Sequence, residues 1–175
     1  VMRAAVAAGA DMINDVNALG AQGALQAVAE LGVPVCLMHM QGQPETMQQR
    51  PEYTDVVAQV LDFFMARIDA CLAAGIAKEQ ILLDPGFGFG KTLEHNFQLL
   101  KKLELFHSLG CPLLAGLSRK SMLGSVTGKA VDQRLAGSLA AAVIAAMQGV
   151  QILRVHDVDE TIDALKVVHA TQMGE

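Results

Sequence analysis

Apolar residues follow two alternating patterns along the chain. Stretches with apolar side chains at helical spacing mostly end at glycine, and short, almost continuous apolar runs lie between them. The helical spacing predicts helices over Val1–Ala8, Gly23–Leu31, Asp55–Ala74, Leu93–Leu109, Gln133–Gln148 and Asp159–Ala170. The apolar runs predict strands over Asp11–Val16, Pro34–Met40, Ile81–Asp84, Pro112–Leu117 and Gln151–Val155. A polar segment from Gln41 to about Thr54 predicts a long loop.

This order of elements is a helix followed by five strand–helix units, which predicts an α/β fold with a parallel sheet covered by helices. Two architectures fit it. One is a doubly wound open sheet of five strands, and the other is part of a (β/α)8 TIM barrel. A complete barrel needs eight strands and about 250 residues, so this chain would form a partial barrel. Because no linker or change of composition divides the chain, we expect one domain over residues 1–175.

Composition narrows the choice of partners and location. Hydrophobic residues make up 52% of the chain and charged residues 18%, which is enough apolar material for a core. The net charge of -5 and the lack of a basic run argue against a nucleic-acid partner.

The cysteines at 36, 71 and 111 are widely spaced, which predicts reduced, buried thiols and a cytoplasmic protein. Leu135–Leu153 is uncharged, but Gly149 favours a buried helix followed by a strand over a membrane span.

Polar residues gather where each predicted strand ends. In parallel α/β folds the carboxyl ends of the strands meet at one edge, and ligand sites lie there. The candidates in chain order are Asn14 and Asp15; Met38, His39 and Met40; Asp84 with the following glycines and Lys91; Ser118, Arg119, Lys120 and Ser121; and Arg154, His156 and Asp157.

Some of these residues have other interpretations. Asp157 and Glu160 have the spacing of a helix capping box. His39 lies between two methionines, which favours a histidine packed in or at the rim of the core over a ligand-binding residue. A metal site is a further alternative, although no HxH or HExxH spacing supports it. Its ligands would be Asp15, His39, Asp84 and His156.

The segment Ile81–Thr92, ILLDPGFGFGKT, ends like a nucleotide-binding P-loop. The first glycine that a P-loop requires falls on Pro85, so the motif disfavours nucleotide binding. The glycines still predict a close approach between the backbone and a flat ligand. The carboxylate of Asp84, directly before them, indicates a ligand with paired N–H donors.

Five segments in this order resemble dihydropteroate synthase, a family of pterin-binding (β/α)8 barrels. The segments are INDV (Ile13–Val16), CLMHMQGQPETMQ (Cys36–Gln48), LLDPGFGFGK (Leu82–Lys91), GLSRKS (Gly116–Ser121) and RVHDV (Arg154–Val158). The resemblance implies a transferase of folate biosynthesis. Such an enzyme condenses hydroxymethyl-dihydropterin diphosphate with para-aminobenzoate, giving dihydropteroate and diphosphate, and sulfonamides compete with para-aminobenzoate.

The resemblance also implies residue roles, with Asp84, Lys120 and Arg154 as the catalytic set. Asp84 is expected to accept two N–H bonds from the pterin edge, Lys120 to donate to a ring atom, and Arg154 to lie flat against the ring. The other implied substrate-binding residues are Asn14 at the pterin edge; Val16, Met38, Phe89 and Gly116 in the apolar walls; His156 at the diphosphate; and Ser118 and Arg119 near para-aminobenzoate.

Compared with the family pattern, the chain begins in what corresponds to the third helix. The first three strands, their two mobile loops and a pterin-binding aspartate are therefore expected to be missing. The resemblance implies Mg2+ bound mainly through diphosphate and those missing residues, with no metal ligand in this chain, and a homodimer when the enzyme is complete. Two alternatives stay open, namely a pterin-binding methyltransferase on the same barrel, against which the SRKS segment argues, and a noncatalytic pterin-binding fragment.

Overall fold

A computed structural model describes residues 1–42, 47 and 51–174. The strands in these residues are β1 (Ile13–Asp15), β2 (Val35–Met38), β3 (Ile81–Asp84), β4 (Leu114–Ala115) and β5 (Ile152–Leu153). The α-helices are α1 (Met2–Ala7), α2 (Ala24–Leu31), α3 (Val56–Ala73), α4 (Leu93–Lys101), α5 (Ser121–Thr127), α6 (Leu135–Met147) and α7 (Val158–Met173). Short 3-10 segments cover Lys78–Gln80, Leu103–Leu109 and Val131–Gln133.

Each strand lies beside the next strand in chain order. β1, β2 and β3 form one parallel sheet, and β4 pairs in parallel with β5. A parallel bridge between Leu83 and Leu113 connects β3 to β4. In a doubly wound sheet the strand order reverses at a switch point, whereas in a (β/α)8 barrel neighbouring strands are consecutive. The chain is therefore a part of a TIM barrel, as the barrel alternative predicted.

The two faces of the strands have different environments. Odd-numbered strand residues pack against the helices in the main core, which also contains Phe64 and Phe106. Even-numbered residues face the barrel interior, where Cys36, Leu82 and Leu114 form a separate small cluster. The strand register places the site residues on this inner face. Cys36 aligns with Asn14 and Leu82, and Met38 aligns with Asp84. The sequence showed which residues share a face, but only the fold shows that the even-numbered face points inward.

Helix boundaries follow local chemistry. The carboxylate of Asp55 accepts hydrogen bonds from the backbone N–H groups of Val57 and Ala58, which begins α3. The hydroxyl of Thr92 accepts one from His95 at the start of α4. Gly32 ends α2 in the left-handed conformation that glycine adopts without strain.

Two sequence predictions about helices were wrong. The predicted helix Leu93–Leu109 is α-helical only to Lys101 and continues as a 3-10 segment, in which the fully buried Leu103 and Phe106 stand three residues apart on one face. Helix α5 was not predicted, because it is short and contains Gly124. A Cβ at that glycine would overlap the guanidinium of Arg134, so a larger residue would require that side chain to move.

Other predictions about the chain were confirmed or lie outside the described residues. All three cysteines are free and buried. The uncharged stretch Leu135–Leu153 divides into α6 and β5, and no helix in the described part of the chain has the length and apolarity to cross a membrane. Residues 43–46 and 48–50 of the predicted loop, including part of the CLMHMQGQPETMQ segment, fall outside the described residues.

Candidate functional site

Asp84 ends β3 on the inner face and is almost completely buried. Its Oδ1 accepts a hydrogen bond from the backbone N–H of Gly86 at 2.8 Å. Its Oδ2 accepts no hydrogen bond from any described residue, and Nη2 of Arg154 lies 3.6 Å away. Burial raises the pKa of the Asp84 carboxyl, while the Gly86 N–H and the nearby cations act in the opposite direction. A buried acceptor without a donor is rare in folded proteins, which makes Oδ2 a candidate ligand-binding atom at this edge of the strands.

Two cations flank this carboxylate from neighbouring strands. Lys120 precedes α5, and its Nζ lies 4.3 Å from the centre of the Phe89 ring, a cation–π arrangement. Burial lowers the pKa of Lys120, and the charge of Asp84 opposes that shift. Arg154 follows β5 with about half of its side chain exposed, at 45%. The chain therefore places a buried anion, an aromatic ring and two cations at one end of the inner face.

Gly116 makes room for the guanidinium of Arg154. A Cβ added at Gly116 would lie 2.7 Å from Nη2 of Arg154, which is too close for two atoms that are not bonded. Arg154 thus lies over bare backbone, with its flat group along the inner face. Gly116 was predicted as a wall of the ligand site, and the structure shows that it also sets the position of this arginine.

A cavity of about 190 Å³ lies beside these cations. Ser118, which is buried, accepts a hydrogen bond from the backbone N–H of His156 at 3.2 Å, and its Oγ lies 3.0 Å from Nδ1 of the same histidine. The Ser118 hydroxyl therefore orients His156, whose side chain is exposed. The cavity is lined by Gly116, Ser118, Lys120, Arg154, Val155 and His156.

Arg119 points toward α7. Its guanidinium bonds both carboxylate oxygens of Asp157, at 2.5 and 3.2 Å, and this contact lowers the pKa of Asp157. Its backbone, at a positive φ of 58°, is held by Ser138 and Arg134. The predicted capping box of Asp157 and Glu160 is wrong, because Asp157 makes no side-chain cap and its carboxylate is engaged by Arg119. The placement of Arg119 near para-aminobenzoate stays a prediction.

The remaining predicted residues lie on or near the same face. Asn14 is exposed on the inner side of β1, and Val16 is exposed just beyond that strand. Met38 is fully buried opposite Asp84 on the neighbouring strand. Phe89 is partly buried beneath Lys120. The fold thus brings Asp84, Met38 and Phe89 together with the cations, while Asn14 is two strands away from Asp84.

The metal alternative is wrong, because its proposed ligands have separate partners. Asp15 accepts from the backbone N–H of Leu19 at 2.7 Å, His39 contacts Lys91, and His156 contacts Ser118. Among the described residues, no group of three or more His, Cys, Asp or Glu side chains is arranged to hold a metal ion.

The sequence named Lys91 as a strand-end candidate but assigned it no role; it is 3% exposed at the end of the glycine loop, the segment Gly-Phe-Gly-Phe-Gly at residues 86–90. Burial lowers the pKa of Lys91 to about 7 and the pKa of His39 to about 3. The nucleotide-binding P-loop motif also has a lysine at this position, where it binds phosphate. Only the fold shows that the side chain turns inward, under the loop. His39 is confirmed as a core residue.

Comparisons with known proteins agree with this geometry. A family model described as pterin binding enzyme matches residues 1–156. Dihydropteroate synthase from Escherichia coli is 57% identical over 171 residues, which cover 98% of this chain and 61% of that protein. The chain therefore spans about three-fifths of the length of this curated relative.

Solved structures show the same likeness. The crystal structure of Yersinia pestis dihydropteroate synthase with a sulfonamide drug has a TM-score of 0.98 and 54% identity, covering 100% of this chain and 64% of that one. Xanthomonas albilineans dihydropteroate synthase with 4-aminobenzoic acid has a TM-score of 0.93 and 56% identity, covering 99% and 62%. The family match over most of the chain, together with the site at the strand ends, shows that this chain belongs to the pterin-binding enzyme family.

Proposed function

We propose that this chain is the C-terminal part of a dihydropteroate synthase. The complete enzyme would condense hydroxymethyl-dihydropterin diphosphate with para-aminobenzoate, and sulfonamides would compete with para-aminobenzoate. The observation that carries the proposal is the buried Oδ2 of Asp84, which accepts no hydrogen bond from any described residue and lies 3.6 Å from the guanidinium of Arg154. A pterin edge offers two adjacent N–H donors, and a carboxylate with one free buried oxygen is suited to receive them.

The surrounding groups support a flat, electron-rich ring. In the proposal, the ring lies with its N–H edge at Asp84, one face toward the guanidinium of Arg154, and a ring oxygen or nitrogen near Nζ of Lys120. Guanidinium groups stack on flat rings, as Arg154 would on the pterin. Cations also lie over the faces of aromatic rings, as Nζ of Lys120 does over Phe89. Met38, buried opposite Asp84, gives the apolar wall on the other side.

The proposed reaction breaks the bond between the pterin methylene carbon and the diphosphate oxygen and forms a bond from that carbon to the amine of para-aminobenzoate. Diphosphate takes the electron pair of the broken bond, and the amine nitrogen loses a proton. A positive charge develops on the pterin methylene, so stabilising charge and binding the leaving group matter more than removing a proton. Arg154 and His156 lie side by side at the carboxyl end of β5, where they would bind the leaving anion.

Mg2+ belongs to the proposal only through the diphosphate. Within the described residues the carboxylates near the site have other partners, since Asp84 accepts from Gly86 and Asp157 pairs with Arg119. These residues do not form a ligand set for magnesium, so no step above runs through the metal. The cytoplasmic location and the homodimer are also proposals. The first is supported by the free cysteines, and the second rests on the resemblance alone.

The test is a chimera in which the N-terminal segment of the Escherichia coli relative precedes Val1. Labelled para-aminobenzoate and the pterin diphosphate are supplied, and incorporation of label into dihydropteroate is measured. We expect incorporation by the chimera, its loss in Asp84→Asn, and no change in the exposed control Asp69→Asn.

A chimera that binds a pterin but incorporates no label would overturn the synthase proposal. Transfer of a methyl group instead would favour the methyltransferase alternative. Pterin binding by the 175-residue chain, with inactivity of the chimera, would favour the noncatalytic alternative.

A further inference from the structure

The ammonium group of Lys91 lies where several backbone carbonyl groups converge. Its Nζ donates to the carbonyl oxygens of Gly86 and Phe89, both at 3.0 Å, and to that of His39 at 3.3 Å. A fourth contact joins Nζ to Nδ1 of His39 at 2.9 Å. An ammonium group has three N–H donors and no acceptor, so its three hydrogens are shared among these four acceptors. The ring nitrogen Nδ1 is one of the acceptors, which makes His39 neutral.

These contacts join two segments that are distant in sequence. His39 follows β2, and the glycine loop follows β3, so the lysine binds the ends of two neighbouring strands together. The backbones approach very closely there. A Cβ on Gly86 would overlap the carbonyl oxygen of His39, and one on Gly90 would overlap that of Gln41. Carbonyl oxygens that point at one buried spot repel each other, and a cation between them removes that repulsion.

The same loop builds the proposed pterin site. The backbone N–H of Gly86 donates to Oδ1 of Asp84, and Nζ of Lys120 lies over the ring of Phe89. Nζ of the buried Lys91 donates hydrogen bonds to the carbonyl oxygens of both Gly86 and Phe89 in this loop. On the other side of the loop, Asn96 of α4 accepts from the backbone N–H of Gly88 at 2.7 Å, which adds a second support.

We propose that Lys91 is a positioning residue for pterin recognition, which holds the carboxylate of Asp84 and the ring of Phe89 at the inner face by tying the glycine loop to the end of β2. It does so without contact with the ligand, because its ammonium group is used entirely by the protein. This inference rests on the proposed function and deepens it. It also gives Lys91 of the Gly-Lys-Thr sequence a role in a loop that departs from the nucleotide-binding motif at Pro85.

The test compares Lys91→Met, which keeps an unbranched side chain one atom shorter and removes the ammonium group, with Lys129→Met, which changes an exposed lysine. The affinity of the 175-residue chain for 6-hydroxymethylpterin is measured by titration calorimetry at pH 6.5. We expect Lys91→Met to weaken binding about tenfold or more, because buried carbonyl oxygens lose their donor and the loop moves. Lys129→Met should bind like the wild type.

A second measurement separates positioning from a general loss of structure. Amide hydrogen exchange in Lys91→Met should rise at Gly86 and Gly88, while the amides of β2 and β3 keep the protection of the wild type. If Lys91→Met does not fold, Lys91→Gln replaces it, because the amide retains two of the donors. The glutamine variant should still lose several-fold in affinity.

Each outcome decides the proposal. Equal pterin affinity in wild type and the Lys91 variants would overturn the positioning role and leave the proposed function intact. Faster exchange throughout β2 and β3 would also overturn it, since Lys91 would then serve stability alone. If the 175-residue chain shows no affinity for the pterin, the same variants are titrated in the chimera that carries the Escherichia coli N-terminal segment. If the wild-type chimera also shows no affinity, the proposed function of this site fails and the role of Lys91 fails with it.

Discussion

Replacing Asp84 with asparagine should move stability and ligand binding in opposite directions. The side chain is buried, its Oδ2 accepts no hydrogen bond from any described residue, and burial raises its pKa. An unsatisfied buried polar group costs about 1–3 kcal/mol, and more when it is charged. Asparagine has the same shape, and its oxygen can still accept from Gly86. Its amide group also lacks a hydrogen-bond acceptor, so the substitution removes only the extra cost of burying a charge, less the attraction to Arg154 that is lost. We therefore expect the free energy of unfolding at pH 7 to rise by about 1 kcal/mol.

The same substitution should abolish tight pterin binding. The amide nitrogen of asparagine would stand where Oδ2 now lies, 3.6 Å from Arg154, and it would present hydrogens to the hydrogens of the ligand. Losing two hydrogen bonds to a charged acceptor costs about 1.5–3 kcal/mol each, which corresponds to a loss of affinity of about 100-fold or more. A gain in stability with a loss of binding is typical of a residue that is held in place for function.

Urea unfolding followed by circular dichroism measures the first effect, and titration with a pterin measures the second. A gain of 1 kcal/mol should raise the melting temperature by about 2–4 °C in a chain of this size. The stability gain should shrink at low pH. Since the folded pKa of Asp84 lies above the unfolded one, its ionisation cost disappears below the unfolded pKa.

Two results would refute this reasoning about Asp84. One is an Asp84→Asn protein that binds a pterin as tightly as the wild type. The other is a protein that loses more than about 1 kcal/mol of stability, because the charge would then have been stabilising in the unliganded chain. Asp69→Asn, at an exposed position of α3, is the matched control and should change neither quantity by more than about 0.5 kcal/mol.

Three further substitutions test the surroundings of the site. Burial lowers the pKa of His39 to about 3, so the free energy of unfolding should fall by about 1.4 kcal/mol per pH unit as pH drops from 6.5 toward 3. The substitution His39→Asn should remove that part of the pH dependence in acid unfolding curves. Gly86→Ala should cost about 2 kcal/mol more in urea unfolding than Gly128→Ala, because both have a φ of 70° but only Gly86 meets a carbonyl oxygen; equal costs would contradict the close packing. Gly116→Ala should displace Arg154 and weaken pterin binding about tenfold in calorimetry with little change in stability, and unchanged affinity would count against a role for that arginine.

Sequence patterns alone determined the order of helices and strands and the position of the site. Apolar runs and helical spacing depend on residues that are neighbours along the chain, so five parallel strands could be predicted with most of their helices. Strand parity placed Leu82 and Asp84 on one face, and the position of Asp84 before a glycine loop indicated its role. Membership of the family followed from motifs at the strand ends, and the comparisons confirm it.

Tertiary structure alone decided which face is inside and which polar groups pair. The bond from Lys91 to His39 spans 52 positions, and the pairing of Arg119 with Asp157 spans 38. Local spacing contains no information about such contacts. It therefore predicted a cap at Asp157 and gave no role to the candidate Lys91, because that role depends on two strands being neighbours. The sequence determines which groups reach the carboxyl edge of the strands, and packing decides which of them hydrogen-bond within the protein and which, like Oδ2 of Asp84, accept no hydrogen bond from any described residue.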